Sequence, residues 1–190
     1  MERRTLLKCL ILGPFGALGA PLATHVHAVP PKTMQGIEEL QKNWKTLLAA
    51  GTEVPGASDK LSLSKDEWRK RLGPAAYDVL REEGTERAGT SPLDREKRPG
   101  VFVCAGCGLP LFSSAMKFDS GTGWPSFFTT IPGAFESKTD FKIIYPRSEY
   151  HCARCGGHHG HVFDDGPPPT GKRYCNNGVA LRFIPQSGKA

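Results

Sequence analysis

The spacing of apolar residues changes character along the chain. Over residues 35–50, Ile37, Leu40, Trp44, Leu47 and Leu48 recur at helical intervals, and Gly51 is placed to stop the run. Residues 52–61 carry Pro55, Gly56, Ser58 and Asp59 without periodicity and read as a loop. Ser64 and Glu67 have the spacing of a capping box, so a short helix should run through Leu72. Gly73-Pro74 breaks that helix and starts another, which offers Tyr77, Val79 and Leu80 for burial and closes at Gly84.

Beyond Gly84 the apolar residues come in short runs separated by glycine and proline, as short strands do. Strands are expected at 101–104, 141–145, 149–153, 161–163 and 179–184. The fold class is therefore mainly β with short N-terminal helices. At 190 residues and 38% hydrophobic content, the chain can bury one core with extensions.

Residues 1–28 stand apart, with the three parts of a secretory signal peptide. Arg3, Arg4 and Lys8 give a positive start, residues 6–23 are almost wholly apolar, and Val26-His27-Ala28 offers a cleavage site after Ala28. Lys8, Pro14 and Pro21 interrupt the run, so no stable membrane anchor is expected. The adjacent arginines resemble a bacterial twin-arginine signal. The expectation is a protein exported to the periplasm, and export in the folded state would let metal load before the thiols meet an oxidising compartment. The expected organisation is a signal at 1–28, a helix and linker at 29–62, a catalytic domain at 63–185 and a tail at 186–190.

Removing the signal lowers the formal charge from +6 (25 minus 19) to +4 (22 minus 18). That balance is mild and scattered, and nucleic acid is not an expected partner.

The six cysteines carry most of the chemical information. Cys104-Ala105-Gly106-Cys107-Gly108 and Cys152-Ala153-Arg154-Cys155-Gly156 are near copies of one turn. Two residues between cysteines let a tight turn aim both sulfurs at one ion, and two such turns complete the tetrahedron of a structural zinc. The 44 residues between the pairs exceed the roughly 15 to 20 of a compact zinc ribbon, so the turns should be tips of two hairpins with a long insert. The rival reading, two redox pairs, needs each motif at a helix start, and neither flank is helical. With all four positions filled, the ion should hold the fold and take no part in catalysis.

Cys9 lies in the signal, so Cys175 is left as the free thiol. Its polar, turn-rich setting, 171–178, argues against a purely packing role. Lys172 or Arg173, if either reaches the sulfur, would lower its pKa from the free value of about 8.5. Imidazoles at His158, His159 and His161 can supply a proton near neutrality. His159 should point away from the other two, which leaves His158 and His161 as the candidate acids. Phe127 and Phe128 read as core, whereas Trp124, after a Gly-rich loop, is either core or a pocket wall for an apolar or sulfur-bearing group.

Together these residues resemble the B-type methionine sulfoxide reductases. The match runs over about residues 64–185 and includes Glu67-Trp68, Arg81-Glu82-Glu83-Gly84-Thr85-Glu86, both cysteine turns, 117–128, His161-Val162-Phe163-Asp164-Asp165-Gly166-Pro167 and Arg173-Tyr174-Cys175. The resemblance implies two small antiparallel sheets arranged as a tent, with zinc at one end and the active site between the sheets. It implies Cys175 as nucleophile, His158 and His161 as active-site histidines, Asn177 and Arg173 as polar neighbours, and Trp124 as the residue that receives the sulfoxide's methyl group. The implied substrate is the R epimer of methionine sulfoxide in oxidised proteins, and the implied intermediate is a Cys175 sulfenic acid.

Many family members place a recycling cysteine where this chain has Thr122, and no cysteine remains to replace it. An external thiol reductant, such as a thioredoxin-like protein, is expected to attack the sulfenic acid directly, with the enzyme working as a monomer. His159, Asn176 and Gly156-Gly157 also depart from the family pattern. Two other functional classes compete: a zinc-ribbon binding module, to which the polar thiol and histidines are superfluous, and a cysteine-histidine hydrolase, which would form an acyl-enzyme.

Overall fold

The computed structural model describes residues 30–140 and 147–186. The expected signal, the expected strand at 141–145 and residues 187–190 of the expected tail lie outside the described residues. Among the described residues, no helix is long and apolar enough to cross a membrane.

The first helix, α1, is Met34–Asn43, capped by Thr33, whose side chain accepts from the Gly36 amide. It is shorter than the expected 35–50 because Trp44–Leu47 tightens into a 3-10 turn. Three residues per turn eclipse Trp44 and Leu47, and both pack against the core, as does Leu40. Gln41 Nε2 donates to Thr129 Oγ1 at 2.8 Å and to the Thr130 carbonyl at 3.2 Å. These contacts make α1 part of the packed unit and not a spacer.

The capping box forms as its spacing predicts: in α2, Lys65–Arg71, the Ser64 hydroxyl accepts from the Glu67 amide, and the Glu67 carboxylate accepts from the Ser64 amide. Pro74 opens α3, Pro74–Glu82, which buries Tyr77, Val79 and Leu80. The helix stops one residue before the expected Gly84, because Glu83 itself turns left-handed at φ 57°.

Among the described residues nine strands follow: β1 Gly100–Cys104, β2 Pro110–Ser113, β3 Lys117–Phe118, β4 Ser126–Phe127, β5 Phe135–Asp140, β6 Arg147–Cys152, β7 His158–Phe163, β8 Arg173–Asn176 and β9 Leu181–Pro185. Expected strands 101–104, 149–153 and 161–163 fall within or across β1, β6 and β7. The run 179–184 is trimmed by a 3-10 turn at Gly178–Ala180. They form two antiparallel sheets, one ordered β2-β1-β9 and the other β3-β4-β8-β7-β6-β5. Aromatic rings join them: Phe112 of the small sheet stacks on Phe127 of the large one with centroids 3.8 Å apart, and Phe135 and Tyr150 continue the row at 5.2 and 4.7 Å. Phe102, Phe112, Phe127, Phe128 and Tyr150 are fully buried, so this aromatic layer holds the sheets together.

Candidate active site and metal centre

Alternation along β8 sorts the site. Tyr174 lies opposite Phe127 and faces the aromatic core, so Cys175, the next residue, faces away from it. Cross-strand register then puts Lys138, Glu149, His161, Cys175 and Ser126 in one row across β5, β6, β7, β8 and β4. The thiol thus sits on the face of the large sheet turned away from the small sheet. This corrects the implied position between the sheets.

A bulge in β7 brings the histidines to this face. His151 pairs with His158 while Tyr150 pairs with Gly160, so His159 is the extra residue. Strict alternation over 158–161 would group His159 with His161, so the expected separation of His159 from the other two holds only because of this bulge. The bulge instead sends His159 into the core, where its ring lies edge-on to Phe135 at 5.5 Å and parallel to Tyr150 at 6.4 Å. Burial holds its pKa down to about 3, so it is no acid at neutral pH. Gly160 next to it approaches the nucleophile's backbone so closely that a Cβ would lie 2.0 Å from the Cys175 carbonyl oxygen.

Cys175 opens into a cavity of about 250 Å³ lined by Thr85, Trp124, His161, Phe163, Cys175 and Asn177, with Gly160 and Asn176 at its base. Trp124 is therefore a pocket wall, and its Nε1 donates to the Glu86 carbonyl at 3.1 Å, which fixes the ring. Thr122 hydrogen-bonds the Cys175 sulfur and belongs to a hydroxyl chain with Ser120 and Ser126, with O–O distances of 2.8 and 2.7 Å. Arg173 lies two residues from Cys175 on the same face, over the Phe163 ring at 4.4 Å. Its guanidinium is held by Asp165 through two bonds of 2.8 Å.

That pairing changes the expected electrostatics. Burial pushes the Cys175 thiol up from its ordinary value, Arg173 and the Thr122 hydroxyl pull it partly back, and Asp165 opposes Arg173. Lys172 is tied to Asp164 at the surface. Arg173 reaches the sulfur and lowers its pKa as expected, but burial outweighs it and the net shift is upward.

His158 does not line the Cys175 cavity. It is 2% exposed, lies edge-on to His161 at 5.6 Å and faces the Glu149 carboxylate. Desolvation lowers its pKa to about 4, against the pull of Glu149. Asn177 spends its side chain on the backbone, accepting from the Glu86 amide at 3.0 Å and donating to the His159 carbonyl at 3.0 Å. Asn176 is fully buried on the core face, where its oxygen accepts from the Tyr150 hydroxyl at 3.0 Å. Glu86 went unassigned in the sequence, yet its carboxylate accepts from the amides of Gly178 and Val179. The signal was its place in the stretch 81–86; its partners, more than 90 residues on, were not visible locally.

The four remaining cysteines meet where the tips of the β1–β2 and β6–β7 hairpins converge. Gly108 and Gly156 take φ of 78° and 67°, the left-handed conformation that closes each turn after its second cysteine. All four sulfurs lie within 4.8 Å of one another, with Cys104–Cys155 at 3.7 Å and Cys107–Cys152 at 3.5 Å. These separations are far beyond a disulfide's ~2.05 Å and close to the ~3.8 Å between thiolates around a tetrahedral zinc. Four buried sulfurs this close together can all ionise only around a cation. The cluster suits one zinc ion. Zinc bound there by Cys104, Cys107, Cys152 and Cys155 would clamp the two hairpins, and no position is left for substrate.

Comparison with known proteins agrees with this geometry. The SelR domain matches residues 72–185. The chain is 55% identical over 123 residues to "Peptide methionine sulfoxide reductase B1, chloroplastic" of Arabidopsis thaliana, a match that covers 64% of this chain and 61% of that one. It is 51% identical over 128 residues to "Peptide methionine sulfoxide reductase MsrB" of Methanosarcina barkeri, covering 67% and 90%. It is 50% identical over 127 residues to "Methionine-R-sulfoxide reductase B3, mitochondrial" of Mus musculus, covering 66% and 50%. The chain thus spans less than two thirds of the plant and mouse proteins but nearly all of the archaeal one. With a SelR domain over most of its length and relatives of this similarity, the chain belongs to the family of B-type peptide methionine sulfoxide reductases.

Proposed function

We propose that the protein reduces the R epimer of methionine sulfoxide in oxidised proteins, using Cys175 as nucleophile. The observation that carries this reading is the shared cavity of Cys175, Trp124 and His161, on the same face of one sheet. Trp124 and Phe163 offer apolar walls for the methyl group and side-chain stem of the substrate. The names of the mouse and archaeal relatives support the substrate class.

Because burial favours the neutral thiol, the reaction needs a base for the S–H and an acid for the sulfoxide oxygen. His161, opposite Cys175, is placed to take the proton and return it to the oxygen. The Cys175 sulfur bonds to the sulfoxide sulfur; the oxygen then passes to Cys175 as the substrate's S–O bond and the S–S bond break, so methionine leaves and Cys175 carries the oxygen as a sulfenic acid. One external thiol then displaces water to form a mixed disulfide, and a second thiol releases Cys175, so two electrons pass from reductant to methionine. A thioredoxin-like protein fits that role, since Thr122 stands in the loop beside the sulfur and supplies no internal thiol. The expected state is a monomer, which light scattering of the purified protein checks. Export to the periplasm is tested by N-terminal sequencing of protein from that fraction, with cleavage after Ala28 expected.

The mature, zinc-loaded protein is incubated with each epimer of a methionine sulfoxide peptide without reductant, and the mass of Cys175 is followed. A gain of one oxygen with the R epimer alone is expected. Consumption of neither epimer, an acyl adduct on Cys175, or full turnover by Cys175→Ser with added thiol overturns the reading.

A further inference from the structure

Behind His161, on the same face of the large sheet, lies a second group with the composition of a metal site. Glu149 and His151 are two residues apart on β6, and the β7 bulge brings His158 opposite His151. One ligand atom from each of the three residues lies within 4.8 Å of the other two, and Glu149 Oε1 faces both His151 Nε2 and His158 Nδ1. Their side chains are 7%, 5% and 2% exposed, and none of these three atoms makes a hydrogen bond of acceptable geometry. A buried carboxylate oxygen and two ring nitrogens left in this state each carry a desolvation cost that a shared ligand would offset.

The tautomer of His151 sharpens the case. Its Nδ1 lies 3.2 Å from the Gly156 carbonyl oxygen, which can only accept, so Nδ1 carries the proton and Nε2 presents a bare lone pair. A ligand histidine oriented through its far nitrogen by a backbone carbonyl is the usual second support of a metal centre. Desolvation lowers the His158 pKa to about 4, which leaves that ring neutral near pH 7. Ligands at 2.0–2.1 Å from a tetrahedral ion sit about 3.3–3.4 Å apart, and Glu149 Oε1 is 3.3 Å from His151 Nε2. His158 and Glu149 are closer than that, so this is the contact that opens to admit an ion.

We propose that Glu149, His151 and His158 form a second metal site, distinct from the four-cysteine centre, which takes a divalent transition ion such as zinc with one position open. Two imidazoles and one carboxylate select zinc, cobalt or iron over magnesium and calcium, which favour all-oxygen shells. The open position faces a hollow of about 140 Å³ lined by Leu80, Arg81, Glu83, Lys138 and Gly156. Arg81 and Lys138 bring positive charge to its mouth, and Glu83 and Glu149 offset it, so binding rests on ligation and not on a negative field. An ion there holds His158 against His161, one ring away from the reacting thiol.

The test is a cobalt titration of the mature protein whose four-cysteine site has first been filled with zinc. Expected is one further equivalent, bound with micromolar affinity, with visible d–d bands and no thiolate charge-transfer band. His151→Gln and Glu149→Gln should each weaken it at least tenfold while the first zinc equivalent is retained, which also reports that the variants fold. Glu149→Gln separates this site from adventitious binding by histidines. In the unmutated protein the ring-nitrogen NMR signals of His151 and His158 should shift with the second equivalent. Absence of a second equivalent, its survival in both variants, a thiolate band, or unshifted His151 and His158 signals overturns the assignment.

Discussion

Five cysteines stand among the described residues in two opposite settings. Four are buried at the tips of two hairpins with sulfurs 3.5–3.7 Å from a partner. The fifth sits mid-strand in β8, half-buried, with a hydroxyl and a guanidinium as its neighbours instead of sulfur. Turn tips held by glycine let thiols converge, which favours a metal and removes them from chemistry. A strand residue facing a cavity keeps its thiol single and accessible. Local backbone geometry, more than the thiol itself, separates a structural cysteine from a reactive one.

The sharpest way to break this comparison is to remove one thiol of each kind. Cys104→Ser should abolish the cooperative thermal transition and stoichiometric zinc, since structural zinc is worth roughly 10–16 kcal/mol, as much as the ~5–15 kcal/mol stability of a whole domain. Cys175→Ser should keep zinc and stay within about 1 kcal/mol of the parent in urea, yet lose turnover. If both variants unfold alike, the division between the two settings fails.

A second test moves the reactive thiol toward the paired state. Thr122→Cys places a sulfur where a hydroxyl already bonds Cys175. After one turnover without reductant, this variant should lose two hydrogens by internal disulfide formation, where the parent gains an oxygen. Persistence of the sulfenic acid would show that the loop cannot bring the two sulfurs together.

Smaller effects concern what surrounds Cys175. Glu86→Ala removes the acceptor of the Gly178 and Val179 amides and should cost about 1.5–3 kcal/mol in urea denaturation, with slower turnover as the segment after Cys175 loosens. Arg173→Met takes away a charge that lowers the thiol pKa, so the rise of alkylation rate with pH should move to higher pH. Asp165→Asn removes a charge that raises it, so the rise should move to lower pH. The second shift is the smaller, because the Asp165 side chain is 61% exposed and screened by solvent. Iodoacetamide kinetics against pH read both.

Features that depend on neighbouring residues were legible in the sequence. The Ser64–Glu67 box, the Pro74 helix start and both cysteine turns are set within a few residues, and all form as their spacing predicts. Strands β2, β3, β4, β5 and β8 were missed because they are short or polar, and their partners elsewhere in the chain define them. The same holds for the site. Trp124 and Cys175 could be named, but not the row that joins Glu149, His161, Cys175 and Ser126, because register is a non-local property. The bulge at His159 decided which histidines share a face, and no composition signal marks it. Arg173 lowers the thiol pKa as its charge suggests, but burial of Cys175, which no local pattern shows, outweighs it, and Asp165, eight residues from Arg173, offsets part of its charge.

The cysteine turns have one more property. Arg71 Nε donates to the Gly106 backbone carbonyl at 2.7 Å, Arg81 Nη1 to the Cys155 backbone carbonyl at 3.0 Å and Arg154 Nη1 to the Cys107 backbone carbonyl at 2.8 Å. Four thiolates around zinc keep a net double negative charge, and these guanidiniums lie against the loops that carry it. Positive charge there draws electron density from the sulfurs and makes them poorer nucleophiles toward peroxides. If the chain repairs oxidised methionine as proposed, this arrangement would shield a zinc held there from the oxidants that create the substrate.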